Sequence, residues 1–425
     1  MKLYAGTAKQ KITPEVGALL FGYNNNQVSH SVHDDLYATA LALRYGDTAV
    51  VLLSADLCLI NNDIADGIRA KAGQAAGIPA ERVILSCTHT HSGPRTAGFS
   101  RWGSPDMPYV ESVLTPACAA VAKAAMGDMH PVRVGIGTTE SRVGINRREL
   151  LRDDTVILGH NPWGVYDPVM TVLSFAGEDG KPAANIVHYG AHPTASGVNH
   201  EITRDWPGVM KDRLETETGA VTVFLNGTLG DVAPRTASGQ SAGKSVQEAM
   251  EVGGMAAIDA LRAFRGIRTW YDEPMSVVSG PVSVPFLPPL PEAEARAKLA
   301  ASGDSWSYPK NMYETLVQCY DAGDLGPDQL AYAQTLLRIG PVVFVPFPFE
   351  TCSEIGLRLR RYSPFAHTLT LSCTNGSNSY LPPQCELVRG GYEVSSFLYY
   401  RPRQLPDDTD RRLIDANLDL MEALL

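Results

Sequence analysis

Apolar residues recur along this chain in two rhythms. Short β-rich runs bounded by turn residues predict buried strands at 49–54, 83–87, 184–189, 220–225, 341–346 and 368–373. Between them, apolar positions spaced three to four apart predict helices over 64–76, 109–126, 207–218, 246–264, 328–337 and 409–424. Strand and helix alternate for most of the length. That predicts an α/β fold, with mixed or parallel β-sheet layers flanked by helices. The segment 271–291 breaks the rhythm. Its Phe286-Leu287-Pro288-Pro289-Leu290-Pro291 run suits neither a helix nor a central strand. Together with the aromatic-rich stretch that follows, 271–329 reads as an insertion over the core acting as a lid, or equally as a plain surface excursion.

Composition narrows the class. The 425 residues leave room for two or three units, or for one large α/β unit spanning 1–425, which is the reading adopted. Acidic residues outnumber basic ones 46 to 36, and no basic stripe occurs, which sets nucleic acid aside as a partner. The longest apolar runs are strand-length, far short of a membrane span, and the N-terminus holds no apolar leader core. Seven cysteines without a CxxC pair suit reduced thiols in a cytoplasmic protein. A homo-oligomer stays open.

Candidate chemistry falls just past the carboxyl ends of predicted strands, where ligands gather in open α/β sheets. His89 and His91 follow 83–87, His192 follows 184–189, and Asn226 and Asp231 follow 220–225. Glu350 follows 341–346, and Tyr380 follows 368–373. In extended backbone the rings of His89 and His91 face one side, as two ligands or as one ligand and one proton carrier. Gly190 and Pro193 deny a helical pairing of His188 with His192, so His192 is the ligand candidate and His188 a packed core histidine. Glu350 sits among Phe347, Pro348 and Phe349. Its carboxylate needs a cation, a metal or a hydrogen bond there, or serves a helix N-terminus near Thr351. The loop Asn226-Gly227-Thr228-Leu229-Gly230-Asp231 offers backbone donors to a ligand. Gly239-Gln240-Ser241-Ala242-Gly243 matches a serine-hydrolase pattern but lacks the strand that pattern requires.

The string Thr88-His89-Thr90-His91-Ser92-Gly93-Pro94 closely resembles the zinc-binding segment of the neutral/alkaline (non-lysosomal) ceramidase family. Asn146-Arg147, His192-Pro193-Thr194, Asp205-Trp206-Pro207-Gly208, Gly230-Asp231-Val232-Ala233-Pro234, Pro348-Phe349-Glu350 and Gly390-Gly391-Tyr392-Glu393 follow in the family's order. The resemblance implies a ceramidase-like α/β catalytic domain with Zn²⁺ on His89, His192, Glu350 and Tyr380. It implies His91 as the active-site histidine and Arg147 as the arginine that meets substrate or oxyanion. Asp56 and Asp231 are expected to orient the ligand imidazoles.

Three departures qualify the substrate. Ala233 stands where the family carries a serine proposed to act in ceramide cleavage, and Arg235 replaces the following asparagine. No C-terminal immunoglobulin-like domain and no leader are read. Arg235 and Asn226 are taken as substrate contacts, Arg235 toward an anionic group. The expectation is a zinc-dependent hydrolase that cleaves the amide (N-acyl) bond of a small acyl compound with a metal-activated water. A zinc esterase or lactonase, and a non-catalytic zinc-containing binding protein, are the alternatives.

Overall fold

The computed structural model describes residues 1–23, 26–98, 103–272 and 274–425. Eight long strands build the first sheet: β1 (Leu3–Lys11), β2 (Tyr37–Tyr45), β3 (Thr48–Ala55), β4 (Val83–Cys87), β5 (His130–Glu140), β6 (Val169–Gly177), β7 (Pro182–Tyr189) and β8 (Val221–Asn226). Their spatial order is β8-β7-β6-β5-β1-β2-β3-β4, with Trp270–Tyr271 pairing against β5. Pairing is parallel at both ends of this row, β7 with β8 and β3 with β4, and antiparallel between. The sheet is therefore mixed.

Period-two alternation explains its two faces. Leu41, Leu43, Val50 and Leu52 enter one core, while Ala40, Ala42, Val51 and Leu53 enter another. The alanine face lets α1 (Asn62–Ala76) and α2 (Thr115–Gly127) pack close. At the other end of the sheet, α3 (Asp205–Thr218) and α4 (Val246–Arg265) cover Val172, Val187 and Phe224, with Trp206 fully buried among them.

A second sheet runs β9 (Met275–Pro285), β10 (Gln329–Ile339), β11 (Val342–Pro346) and β12 (His367–Leu371). Leu337, Ile339, Phe344 and Leu371 pack on the leucine face of the first sheet. Val343, Val345 and Leu336 face α5 (Ser353–Tyr362), α6 (Tyr392–Tyr399) and α7 (Thr409–Glu422). The result is four layers: helices, sheet, sheet, helices. Among the described residues no helix is long and apolar enough to cross a membrane.

Two expectations are corrected here. The segment 328–337, read as a helix, is most of strand β10. Within β10 the stretch Gln334–Leu337 is buried on both faces between apolar layers, so the alternation that marks a half-buried strand is lost there. The start of 271–329 is no insertion either, because β9 pairs along its full length with β10. It is an edge strand, which is why Pro281 and Pro285 are tolerated. The remainder forms two helices, Glu292–Ala301 and Tyr308–Ala322.

Candidate metal and active site

The carboxyl ends of β4, β7 and β8 in the first sheet and of β11 and β12 in the second open on one seam. His89 leaves β4 with a left-handed backbone, φ 74°, unusual for a residue with a side chain. Its N–H donates to Leu57 O at 2.8 Å, and its Nδ1 donates to Cys58 O at 2.9 Å. His192 is held likewise. Its N–H donates to Val232 O at 2.9 Å, and its Nδ1 meets Leu229 O at 2.8 Å and Val232 O at 3.1 Å. A carbonyl only accepts, so each Nδ1 carries the proton and each Nε2 presents a lone pair.

Those lone pairs converge on a third acceptor. His89 Nε2 lies 3.3 Å and His192 Nε2 3.2 Å from Oε2 of Glu350. Tyr380 Oη is 3.3 Å from His192 Nε2, and a parallel bridge places Tyr380 beside Glu350. Two imidazole lone pairs and a carboxylate oxygen repel one another unless a cation sits among them. Protonation is a poor substitute, because burial, followed by the charge of Arg147, pushes His192 down to about 4. This nitrogen and oxygen donor set fits zinc or a similar divalent ion.

His91 stands beside the cluster, its Nε2 3.2 Å from His89 Nε2. Its Nδ1 is buried with no partner among the described residues, and burial lowers its pKa well below the ordinary value. The edge of Tyr23 packs on the ring at 4.8 Å between centroids. Gly22 gives it room: a Cβ there would fall 2.4 Å from His91 Cγ, at a φ of +135°.

Arg147 donates from Nη2 to Tyr380 Oη at 3.0 Å and from Nε to Glu393 at 2.8 Å. Glu393 is fully buried and also accepts from Arg148 at 2.7 Å. The protein thus places Arg147 behind Tyr380, holding the phenol. Glu393 was visible in the sequence only as the end of Gly390-Gly391-Tyr392-Glu393, with no role attached.

Other expected residues lie elsewhere. Asp56 pairs with the buried Lys211 at 2.6 Å and accepts from Tyr37 N at 3.0 Å. Asp231 accepts from Ser353 N and Oγ, both at 2.7 Å. Neither carboxylate hydrogen-bonds the imidazole of His89 or His192; backbone carbonyls do that work. Asn226 is fully buried and donates to Thr88 O and Ala191 O, tying the two histidine loops together rather than facing a substrate. Arg235 is spent on the carbonyls of Arg142 and Gly144. His188 is buried and bonds Thr370 O at 2.8 Å, a link between the two sheets.

Above Glu350 and Tyr380 opens a cup of about 280 Å³, walled by Trp306, Tyr308, Asn311, Tyr392, Tyr399 and Tyr400. The helix Tyr308–Ala322 supplies one wall, so the aromatic stretch of 292–329 belongs to this site.

A sequence model of the family described as neutral/alkaline non-lysosomal ceramidase, N-terminal, matches residues 4–252. The chain is 27% identical to neutral ceramidase of Pseudomonas aeruginosa over 248 residues, 54% of this chain and 36% of that protein. It is 27% identical to neutral ceramidase B of Dictyostelium discoideum over 243 residues, 51% of this chain and 33% of that protein. The matched stretch thus spans about a third of the length of these curated relatives. A crystal structure of the Pseudomonas aeruginosa neutral ceramidase superposes on 100% of this chain and 74% of its own, with a TM-score of 0.78 and 21% identity. A ceramidase complexed with C2 gives a TM-score of 0.77, also at 21% identity, over 100% of this chain and 75% of its own. These two likenesses concern the fold.

Proposed function

The chain belongs to the neutral/alkaline non-lysosomal ceramidase family, and on that footing we propose that it hydrolyses the amide (N-acyl) bond of a small acyl compound. We assign the metal site, with zinc as the ion, to His89, His192, Glu350 and Tyr380. The observation that carries the reading is the pair of carbonyl-locked imidazoles whose Nε2 lone pairs both face Glu350 Oε2. A bound divalent ion polarises a carbonyl oxygen and acidifies water.

The chain's own groups supply the rest. Cys58, Leu229 and Val232 fix the tautomers of the ligand imidazoles through their carbonyls. His91, neutral and with a bare Nδ1, is the group that takes up a proton and returns it to the leaving amine. Arg147 fixes Tyr380 and sets a positive charge beside its oxygen. Ala233 offers no hydroxyl, so no serine acts from that position.

The size of the cup supports a short substrate. At about 280 Å³ it lies at the low end of small-molecule sites, roughly 300–1,000 Å³. The relatives are named for ceramide, a lipid with two long chains, which calls for more room than these described walls enclose. The test is metal analysis of purified protein and of His89→Ala and His192→Ala, followed by matched short-chain amides and esters. Stoichiometric metal lost in both variants, with amide turnover, is the expected result. Protein that purifies metal-free from zinc-sufficient cells would sink the reading.

A further inference from the structure

Four of the rings that wall the cup stand in file. Tyr380 meets Tyr392 at 5.3 Å between centroids, Tyr392 meets Tyr308 at 6.0 Å, and Tyr308 meets Trp306 at 4.8 Å. Each pair is steeply inclined, at 70°, 72° and 61° in turn. The file leads from Tyr380, beside Glu350, out to Trp306, which is 39% exposed. Tyr399 and Tyr400 add two more rings to the lining. These side chains are not sealed away. Tyr308, Tyr392, Tyr399 and Tyr400 are half-buried and line the open space.

Such a wall discriminates by more than size. An aromatic ring carries negative charge on its faces and positive charge on its edge, so inclined rings present both to the space beside them. A further ring can meet them edge to face or offset, whereas an aliphatic chain gains only from the area it covers. Among the described lining residues there is no lysine or arginine, and the one carboxylate, Glu350, is assigned to the metal. Neither an anion nor a cation finds a free countercharge there. A cavity of about 150 Å³ takes up benzene. At about 280 Å³ the cup holds one six-membered ring, an amide group and a short substituent.

We propose that the cup recognises one neutral aromatic ring, so that the compound hydrolysed is a single-ring aryl amide. The ring packs among Trp306, Tyr308 and Tyr392. The amide part of this statement rests on the amidase reading above, while the ring part rests on the walls alone.

Propiophenone is the probe, because its ketone mimics the amide and cannot be hydrolysed. Its saturated counterpart is 1-cyclohexylpropan-1-one. Both are titrated by calorimetry into the full chain in its metal-loaded form. Propiophenone should bind at one site, about fivefold or more tighter than the saturated ketone, as two aromatic pairs at the low end of their usual strength require. Tyr308→Leu and Trp306→Leu should each lower that preference about twofold or more, with metal content unchanged. Trp306 is exposed enough that its replacement does not burden folding. Propiophenone that binds no tighter than its saturated counterpart, a preference untouched by both replacements, or no binding at millimolar ketone overturns the proposal. A ring preference that persists in protein unable to turn over any amide upholds the ring site and strikes the amidase reading alone.

Discussion

His192 donates its Nδ1 proton to the carbonyl of Leu229 at 2.8 Å, across 37 positions of sequence. This bond, together with that from His89 to Cys58, decides which ring nitrogen faces Glu350. Metal affinity at the proposed site should therefore depend on loop backbone as well as on ligand side chains. His192→Ala and His89→Ala should each bring metal content, measured by elemental analysis, from near one per chain to near zero with the far-ultraviolet dichroism retained. Chelation should lower the melting temperature of the parent protein. An ion present at a thousandfold above its Kd contributes about 4 kcal/mol.

The metal-free protein should be acid-labile for a reason that can be signed. The folded pKa of His192, about 4, lies below the ordinary 6.5, chiefly through burial and then through Arg147. Between those values the unfolded chain holds a proton that the folded one refuses. Stability is thus full above pH 6.5 and falls as pH drops toward 4, by about 3 kcal/mol at 1.36 kcal/mol per unit. Urea midpoints of chelated protein should decline across this window, and His192→Phe should flatten the decline.

Gly22→Ala should separate proton transfer from metal binding. The added methyl would collide with His91 and leave His89, His192 and Glu350 untouched. Turnover of a short-chain amide should fall about tenfold or more, the low end of what proton transfer contributes, with metal content unchanged. Loss of metal in this variant would count against the assignment of His91.

Arg147→Lys keeps the charge but cannot bridge Tyr380 and Glu393 at once. Outer partners of ligand groups typically carry about 10- to 100-fold in metal affinity or activity, and a loss of that order in kcat/KM is expected. A milder variant of the same network, Tyr380→Phe, should lower metal affinity without the unpaired carboxylate that replacing Arg147 by a neutral residue would leave.

Asp56→Asn tests the reassigned carboxylate. Asp56 and Lys211 form a buried ion pair at 2.6 Å, and removing one charge of such a pair costs about 3–5 kcal/mol. Stability measured by chemical denaturation should drop by that order. Metal affinity should not move, since Asp56 hydrogen-bonds neither ligand ring.

The site was far more legible in the sequence than its supports. His89 and His192 stand out by their place after strands, Glu350 reads equally as a helix-terminal acid, and Tyr380 enters through the family resemblance; the structure places the four side chains side by side. The orienting partners of the two imidazoles are main-chain carbonyls, which have no residue type to read, and the sequence points instead to Asp56 and Asp231. Among the elements, the strands ending in candidate residues are legible to within one or two positions. Strands β1 and β2 are hard to read because small and polar residues blur their alternation, and β6 because it is buried at nearly every position. Strand β10 resembles a helix in the sequence because its second half is covered on both faces and shows no alternation.

The four proposed ligands divide between the two halves of the fold. His89 and His192 follow strands of the first sheet, Glu350 and Tyr380 pair in a short ladder that follows β11 and β12 of the second, and His192 meets Glu350 across 158 residues of chain. A metal ion bound there would rivet the two halves of the molecule. Neither half holds more than two of the four donors, so tight binding must wait until both sheets have formed and docked. Metal uptake would then be a late event in folding, and its rate a clock for the moment the seam between the sheets closes.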